Sequence, residues 1–233
     1  MNTLGKIFLS KVVSVCLFAL VTFIVVGCVD EENDSGTLFV NAEVSKVVAS
    51  SVDPITIVVE VLESGIPVDD ATVIVNSTEI NSTGNGVYQA SGVLTIDAGQ
   101  DVILDVTHMT KNVGSTLVMP EHATITAPTA AEGPYDASTN IDITWDQFDF
   151  DTTPDLIQIF IDGAYTDTGI PYMIILPGTA TSFIIPAGTL KSNRSNIILE
   201  VIAANRTWFL GADAAFESKL YVNHQSRSMF DTQ

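Results

Sequence analysis

The sequence predicts an all-β protein built from two tandem antiparallel β-sandwich domains that follow an N-terminal leader. Short apolar runs rich in Val, Ile and Thr recur along most of the chain. Turn residues separate these runs at close spacing, chiefly Gly, Pro, Asn and Asp. After the leader, no stretch of ten or more residues has the periodicity of an amphipathic helix. Many short strands divided by turns are typical of antiparallel sandwiches.

The leader is a basic segment followed by an apolar run. Lys6 and Lys11 precede residues 12–26, which are apolar except for two hydroxyl side chains. A helix that crosses a bilayer core needs about 20 residues, whereas the apolar core of a signal peptide has about 7–15. We therefore predict that residues 1–27 are a signal peptide. An uncleaved transmembrane helix is the alternative.

The four residues that close the leader are Val25, Val26, Gly27 and Cys28. They resemble the lipobox of bacterial lipoproteins. The resemblance implies that the chain is cleaved after Gly27 and that Cys28 is lipidated on its sulfur, with palmitate as a typical acyl group, and then acylated on its amine. Two or more acyl chains hold a protein stably on a membrane. The expected location is the bacterial cell envelope, on the outer membrane or at the cell surface.

Residues 28–37 form the expected tether between the lipid and the folded part. The run Asp-Glu-Glu-Asn-Asp at 30–34 is strongly acidic, and clustered like charges keep a linker solvated and extended. An acidic cluster just after the lipid-bearing Cys also resembles the surface-export signal of lipoproteins in the Bacteroidetes group. A plain soluble tether explains the run equally well.

The charge balance narrows the choice of partners. The chain carries 9 basic and 28 acidic side chains, and loss of the leader removes two of the basic ones, leaving a formal charge of about −21. This argues against nucleic acid, which requires a basic footprint, and against docking flat on an anionic membrane. Cys28 is the only cysteine after the leader, so no disulfide framework is expected. The membrane, through the lipid, and an unknown protein or glycan are the expected partners.

The first domain is expected at 38–120. Its clearest strand contains Ile55, Ile57, Val59 and Val61, which alternate and therefore lie on one face. The predicted strands are 37–48, 54–62, 71–76, 87–90, 93–96, 102–106 and 114–118.

A motif within this domain carries a family resemblance. Residues 65–73 read Gly-Ile-Pro-Val-Asp-Asp-Ala-Thr-Val, and Gly-Val-Tyr follows at 86–88. Together they resemble the "G-x-P-V-x-x-A-x-V … G-x-Y" pattern of bacterial Ig-like and carboxypeptidase-regulatory-like modules. The resemblance implies an Ig-like β-sandwich, in which glycine and proline form the hairpin turn and alanine allows the sheets to approach closely.

The second domain is expected at 121–222. Ile141, Ile143 and Trp145 alternate along one strand, which places Trp145 in the core. The predicted strands are 123–127, 140–145, 155–161, 172–176, 182–185, 196–204 and 214–222, and residues 223–233 are expected to be a short frayed tail. The I-x-I-x-W strand and the segment Ile-Pro-Ala-Gly-Thr-Leu at 185–190 resemble fibronectin type III-like modules of bacterial lipoproteins, which again implies a fold.

An acidic loop is the candidate metal site. Asp146, Asp149, Asp151 and Asp155 lie within ten residues between two predicted strands. Calcium takes six to eight oxygen ligands, several of which such a loop can supply. The spacing does not follow the EF-hand order, and a solvated loop in an acidic protein is the alternative. Apart from this Ca²⁺, no cofactor is expected.

Exposed aromatic residues are the candidate ligand contacts. Trp208 follows a hairpin-like turn, a position that can leave its ring exposed, and we therefore treat it as a candidate ligand contact. Packing of the ring over the end of a sheet is the alternative. Tyr165, Tyr172 and Trp145 also have the flat faces that stack on sugars, although Trp145 is expected in the core.

His108, His122 and His224 lie in different segments, and neither H-E-x-x-H nor G-x-S-x-G occurs. No catalytic residues are therefore predicted.

These observations predict a non-enzymatic, lipid-anchored envelope or cell-surface protein that acts as a binding, adhesive or spacer module. The alternative is a carbohydrate-binding accessory lipoprotein of a surface polysaccharide system.

Overall fold

The computed structural model of the protein describes residues 36–48, 54–146, 153–162 and 172–233. In these ranges the chain consists mainly of strands, and its one 3-10 helix is Ala130–Glu132. The prediction of an all-β fold is confirmed. The strands are β1 Leu38–Val48, β2 Ile55–Glu63, β3 Ile66–Pro67, β4 Thr72–Val75, β5 Thr78–Ile80, β6 Ser82–Gly84, β7 Val87–Ser91, β8 Asp101–His108, β9 Lys111–Val118, β10 Ile125–Ala127, β11 Ile141–Trp145, β12 Leu156–Asp162, β13 Tyr172–Pro177, β14 Ser182–Ile185, β15 Arg194–Trp208 and β16 Lys219–Thr232.

The strands of the described residues form three sheets. The large sheet runs in the order β13-β12-β15-β16-β1-β2-β7-β6, with β3 paired to β2. A four-stranded sheet, β5-β4-β8-β9, and a three-stranded sheet, β10-β11-β14, complete the fold. Neighbouring strands are antiparallel except for β1 and β16, which are parallel.

The first hydrophobic cluster lies between one half of the large sheet and the four-stranded sheet. Alternate residues of β2 are buried, so Ile55, Ile57, Val59 and Val61 share the core face as predicted. Strand β8 alternates in the same way and contributes its buried residues from the opposite sheet. Two half-buried layers of this kind are the basic plan of a sandwich.

The glycine–tyrosine motif of the first domain closes a tertiary unit. The buried Tyr88 hydroxyl donates to the carbonyl of Val68 at 2.9 Å and accepts the Ala71 N–H at 2.8 Å. The Gly86 N–H donates to Asp69 Oδ1. Gly86 has φ 73°, and a Cβ there would lie 2.5 Å from the carbonyl oxygen of Val61. Only glycine combines this left-handed backbone with so close an approach.

The second hydrophobic cluster lies between the other half of the large sheet and the three-stranded sheet. Trp145 is 4% exposed, and its indole Nε1–H donates to the carbonyl of Ala180 at 3.0 Å. Ile141 and Ile143 are buried on the same face of β11. The expectation that Trp145 belongs to the core is confirmed, and the hydrogen bond satisfies the one donor that its ring buries.

One long hairpin, β15–β16, runs through both clusters. Ile197, Leu199 and Phe230 belong to the second cluster, whereas Leu220 and Val222 belong to the first. Strand β1 pairs in parallel with the first part of β16, from the pair Asn41–Lys219 to the pair Val48–Ser226. The two expected domain ranges therefore share a continuous sheet.

Three local predictions are wrong. The tail predicted at 223–233 is strand as far as Thr232, because β15 pairs with β16 from Lys219 to Thr232 and β1 pairs with it as far as Ser226. The strand also buries His224, Ser226 and Phe230. No strand forms at 93–96, and β16 begins at Lys219 rather than at residue 214. The segment before it turns, as shown by the hydrogen bond from Ser218 N–H to the Ala215 carbonyl.

Polar side chains hold the region where the two clusters meet. Asn205 donates from Nδ2 to the Val118 carbonyl at 2.8 Å and accepts the Asp155 N–H at 3.1 Å. The buried His224 ring donates from Nδ1 to the Pro120 carbonyl at 2.9 Å. These bonds join the end of the first range directly to the hairpin of the second.

Candidate functional site

The candidate site lies at the end of the first sandwich where the described chain enters the fold. The Leu38 N–H donates to the Asp213 carbonyl at 2.7 Å, and the Ala215 N–H donates to the Leu38 carbonyl at 2.8 Å. A Cβ on Gly36 would lie 3.1 Å from Lys111 Nζ. We call this region the entry end: the start of β1, the turns at 64–65 and 109–110, and the loop at 209–218.

A histidine held between two carboxylates lies at the entry end. His108 closes β8 and is buried, with Nδ1 3.0 Å from Glu63 Oε2 and Nε2 3.2 Å from Asp70 Oδ1. Lys111 forms an ion pair with the other carboxylate oxygen of Glu63. The hydrogen bond from Lys111 is the main reason why the pKa of Glu63 lies below its ordinary value, and His108 adds to the effect.

His108, Glu63 and Asp70 line an open cleft of about 410 Å³. Ile66 and Met109 line the same cleft. Its contacts tie the end of β2, the segment after β3 and the end of β8 to one another. The arrangement fixes the turns of the entry end. His108 is the last residue of β8, and its carboxylate partners come from distant parts of the sequence.

A metal site requires the predicted calcium ligands, or other side chains of the described ranges, to lie close enough together to hold a metal ion. There, no three His, Cys, Asp or Glu side chains are grouped so that they could hold a metal ion. Asp146 is exposed, and Asp155 Oδ2 accepts the Arg206 N–H at 2.8 Å, so Asp155 holds the backbone of β15. Asp149 and Asp151 lie outside the described residues, as does Cys28. Calcium binding by the acidic loop stays a prediction.

Large apolar side chains are exposed at the entry end. Leu210 is 92% exposed, Phe216 90% and Met109 81%. Ile66 and Trp208 are also more than half exposed. We call these five residues the apolar tip. Trp208, the one that the sequence suggested, is the last residue of β15 and pairs with Lys219.

The other aromatic candidates lie elsewhere. The ring of Tyr172 is 6.2 Å from that of Phe183, and both pack against the second cluster. Tyr165 lies outside the described residues. Trp208 is therefore the predicted sugar-stacking residue that the described structure leaves open to solvent.

Comparisons with known proteins concern the fold. No protein-family profile matches the chain, and no curated protein sequence matches it. Among solved structures, it is similar to the fibronectin(III)-like modules of CbhA from Clostridium thermocellum, with 14% identity and a TM-score of 0.26 over 83% of this chain and 95% of that chain. It is also similar to the FN1-FN3 domains of chicken CNTN1, with 11% identity and a TM-score of 0.27 over 81% of this chain and 69% of that chain.

Across the ranges that the structure describes, no helix has the length and apolar character needed to cross a membrane.

Proposed function

We propose that this protein is a non-enzymatic, lipid-anchored spacer and binding module of a bacterial cell envelope, at the outer membrane or the cell surface. The lipid is attached at Cys28, at the end of the lipobox-like residues 25–28. An unknown protein or glycan is the partner of the folded part. The formal charge of −19 argues against nucleic acid as a partner.

The proposal rests on the direction in which the hairpin β15–β16 runs from the entry end. The start of β1 contacts the loop just before β16, so β16 leads away from the entry end. Its 14 residues rise by about 45 Å. A chain anchored through Cys28 would hold the end near Thr232 at roughly that distance from the entry end.

The same hairpin makes the spacer stiff. Strand β16 has hydrogen-bonded neighbours on both sides at 219–226, where β1 and β15 pair with it. Asn205 adds side-chain bonds across the region between the two clusters. Domains joined only by a linker move relative to each other by default, whereas a continuous sheet resists bending.

The anchor is tested by labelling cells with radioactive palmitate. The Cys28→Ala variant should remain as unprocessed precursor and take up no label, because it lacks the thiol that carries the lipid. Cys16→Ala is the matched control, since it removes the other cysteine of the chain, which lies in the leader, and should be labelled and processed normally. Normal labelling of Cys28→Ala would refute the proposed anchor.

A carbohydrate-binding accessory role is the second candidate. The exposed Trp208 favours it, because an aromatic face open to solvent can stack on the apolar face of a sugar ring. Leu210 and Phe216, which are exposed in the loop that follows Trp208, favour a different contact for this residue.

A further inference from the structure

We infer that the entry end is a membrane-docking surface, whose apolar tip inserts into the head-group region of the lipid layer that holds the anchor. The five residues of the tip are Ile66, Met109, Trp208, Leu210 and Phe216. This inference rests on the proposed lipid anchor at Cys28 and names the contact that the anchored protein makes with its membrane.

The three most exposed residues of the tip, Met109, Leu210 and Phe216, lie in turns or loops that the fold holds in place. Leu210 and Phe216 lie in the loop at 209–218. Two backbone hydrogen bonds hold this loop against β1, one from the Leu38 N–H to the Asp213 carbonyl and one from the Ala215 N–H to the Leu38 carbonyl. The Asp213 carboxylate accepts the Asn112 N–H at 3.0 Å, which ties this loop to the hairpin that displays Met109. Rigid display reduces the entropy lost when side chains become ordered in a contact.

The tether length places this end close to the lipid. Gly36 is the eighth residue after Cys28, and a fully extended chain covers at most about 3.6 Å per residue. Gly36 therefore lies no more than about 29 Å from the lipid-bearing residue. Linking a surface to its partner in this way raises the effective concentration, so that a weak insertion is sufficient for docking.

The chemistry of the tip suits an interface of neutral lipid. Tryptophan is enriched at the boundary between membrane and water, and apolar side chains of peripheral segments are buried about 5–10 Å into the head-group boundary. Glu63, Asp70 and Asp213 lie at the same end, and the tether adds further acidic residues. The expected surface is zwitterionic, because anionic head groups would repel these charges.

A second copy of the chain suits the tip less well. Stable protein interfaces bury about 800 Å² on each partner. Glu63, Asp70 and Asp213 lie at the same end as the five apolar side chains, so two copies that met through the tip would bring these carboxylates together, and their repulsion opposes a stable interface. Insertion into lipid needs no complementary partner surface.

The test uses residues 28–233, which contain the compact unit at 35–233. The Cys28 thiol, the only one in this chain, is joined to a maleimide lipid in phosphatidylcholine vesicles that carry brominated acyl chains. Trp208 fluorescence should then be quenched and shifted to shorter wavelength. Trp145 is buried in the second cluster, beyond the reach of lipid. The quenching should therefore disappear in Trp208→Phe.

Matched variants separate docking from general hydrophobicity. Leu210→Glu/Phe216→Glu should lose the quenching of Trp208. Met173→Glu/Ile175→Glu changes two exposed apolar residues on β13, next to the second cluster, and should keep it. Vesicles rich in phosphatidylglycerol should give less quenching than phosphatidylcholine. Circular dichroism of each variant reports whether the strands are intact.

Several results would overturn the inference. These are unquenched Trp208 in the tethered wild-type protein, equal quenching in Leu210→Glu/Phe216→Glu, or a Trp208 emission that responds to bacterial polysaccharide but not to lipid. Dimerisation through the tip without lipid quenching would do the same. Because the maleimide supplies the anchor chemically, a failure of palmitate labelling in cells does not affect this experiment.

Discussion

The shared hairpin makes a prediction about where one core mutation acts. Leu220 lies in the C-terminal strand, yet it is fully buried in the first hydrophobic cluster. Leu220→Ala removes three carbon atoms and leaves a cavity, and substitutions of this kind cost about 2–5 kcal/mol. Typical domain stabilities are about 5–15 kcal/mol. We therefore expect a marked loss of stability in residues 38–118, far from the mutation in sequence.

The assay is amide hydrogen exchange, read by mass spectrometry on peptides from β2 and β8, together with urea unfolding. Leu220→Ala should speed exchange in both peptides. Leu199→Ala is the matched control, because it is the same substitution on the same hairpin but lies in the second cluster. It should act first on peptides from β11 and β12.

The reasoning is refuted if Leu220→Ala leaves the exchange of β2 and β8 unchanged and affects only peptides from 121–233. That result would mean that the first cluster is stable without the end of the hairpin. A urea transition that separates into two steps in the wild-type protein would point the same way.

Two further predictions concern single hydroxyl and carboxyl groups. Tyr88→Phe should lower stability by about 1–3 kcal/mol in urea unfolding, because it leaves the Val68 carbonyl and the Ala71 N–H without their partner; an unchanged midpoint would contradict this. Burial raises the pKa of Glu43 above 4.5, while a hydrogen bond from Asn223 partly opposes the shift. The folded state therefore holds this proton more tightly than the unfolded state, and stability falls as pH rises from about 4.5 through the folded pKa. Glu43→Gln keeps an acceptor for Asn223. Its melting temperature should be higher than that of the wild-type protein at pH 7 and the same as that of the wild-type protein at pH 3.5. Equal melting temperatures of the two proteins at both pH values would show that burial does not raise the pKa of Glu43.

Local sequence patterns determined the strand content and the two cores. Alternation in 55–61 and 141–145 identified core faces that the structure confirms, because a half-buried strand repeats every two residues. The Gly-x-Tyr pair at 86–88 stood out in the sequence through its resemblance to Ig-like modules, and in the structure both residues bond to the segment 68–71. Exposure of Trp208 was one of two readings that its hairpin position allowed.

Only the tertiary structure decided what β16 and the entry end are. Residues 223–232 alternate poorly and contain His, Ser and Arg, so their strand depends on the backbone partners that β1 and β15 supply. The contact of His108 with Glu63 and Asp70 joins segments that are distant in sequence. Met109, Leu210 and Phe216 carry no periodic signal, and they become one apolar tip because pairing across the sheets brings their loops to the same end.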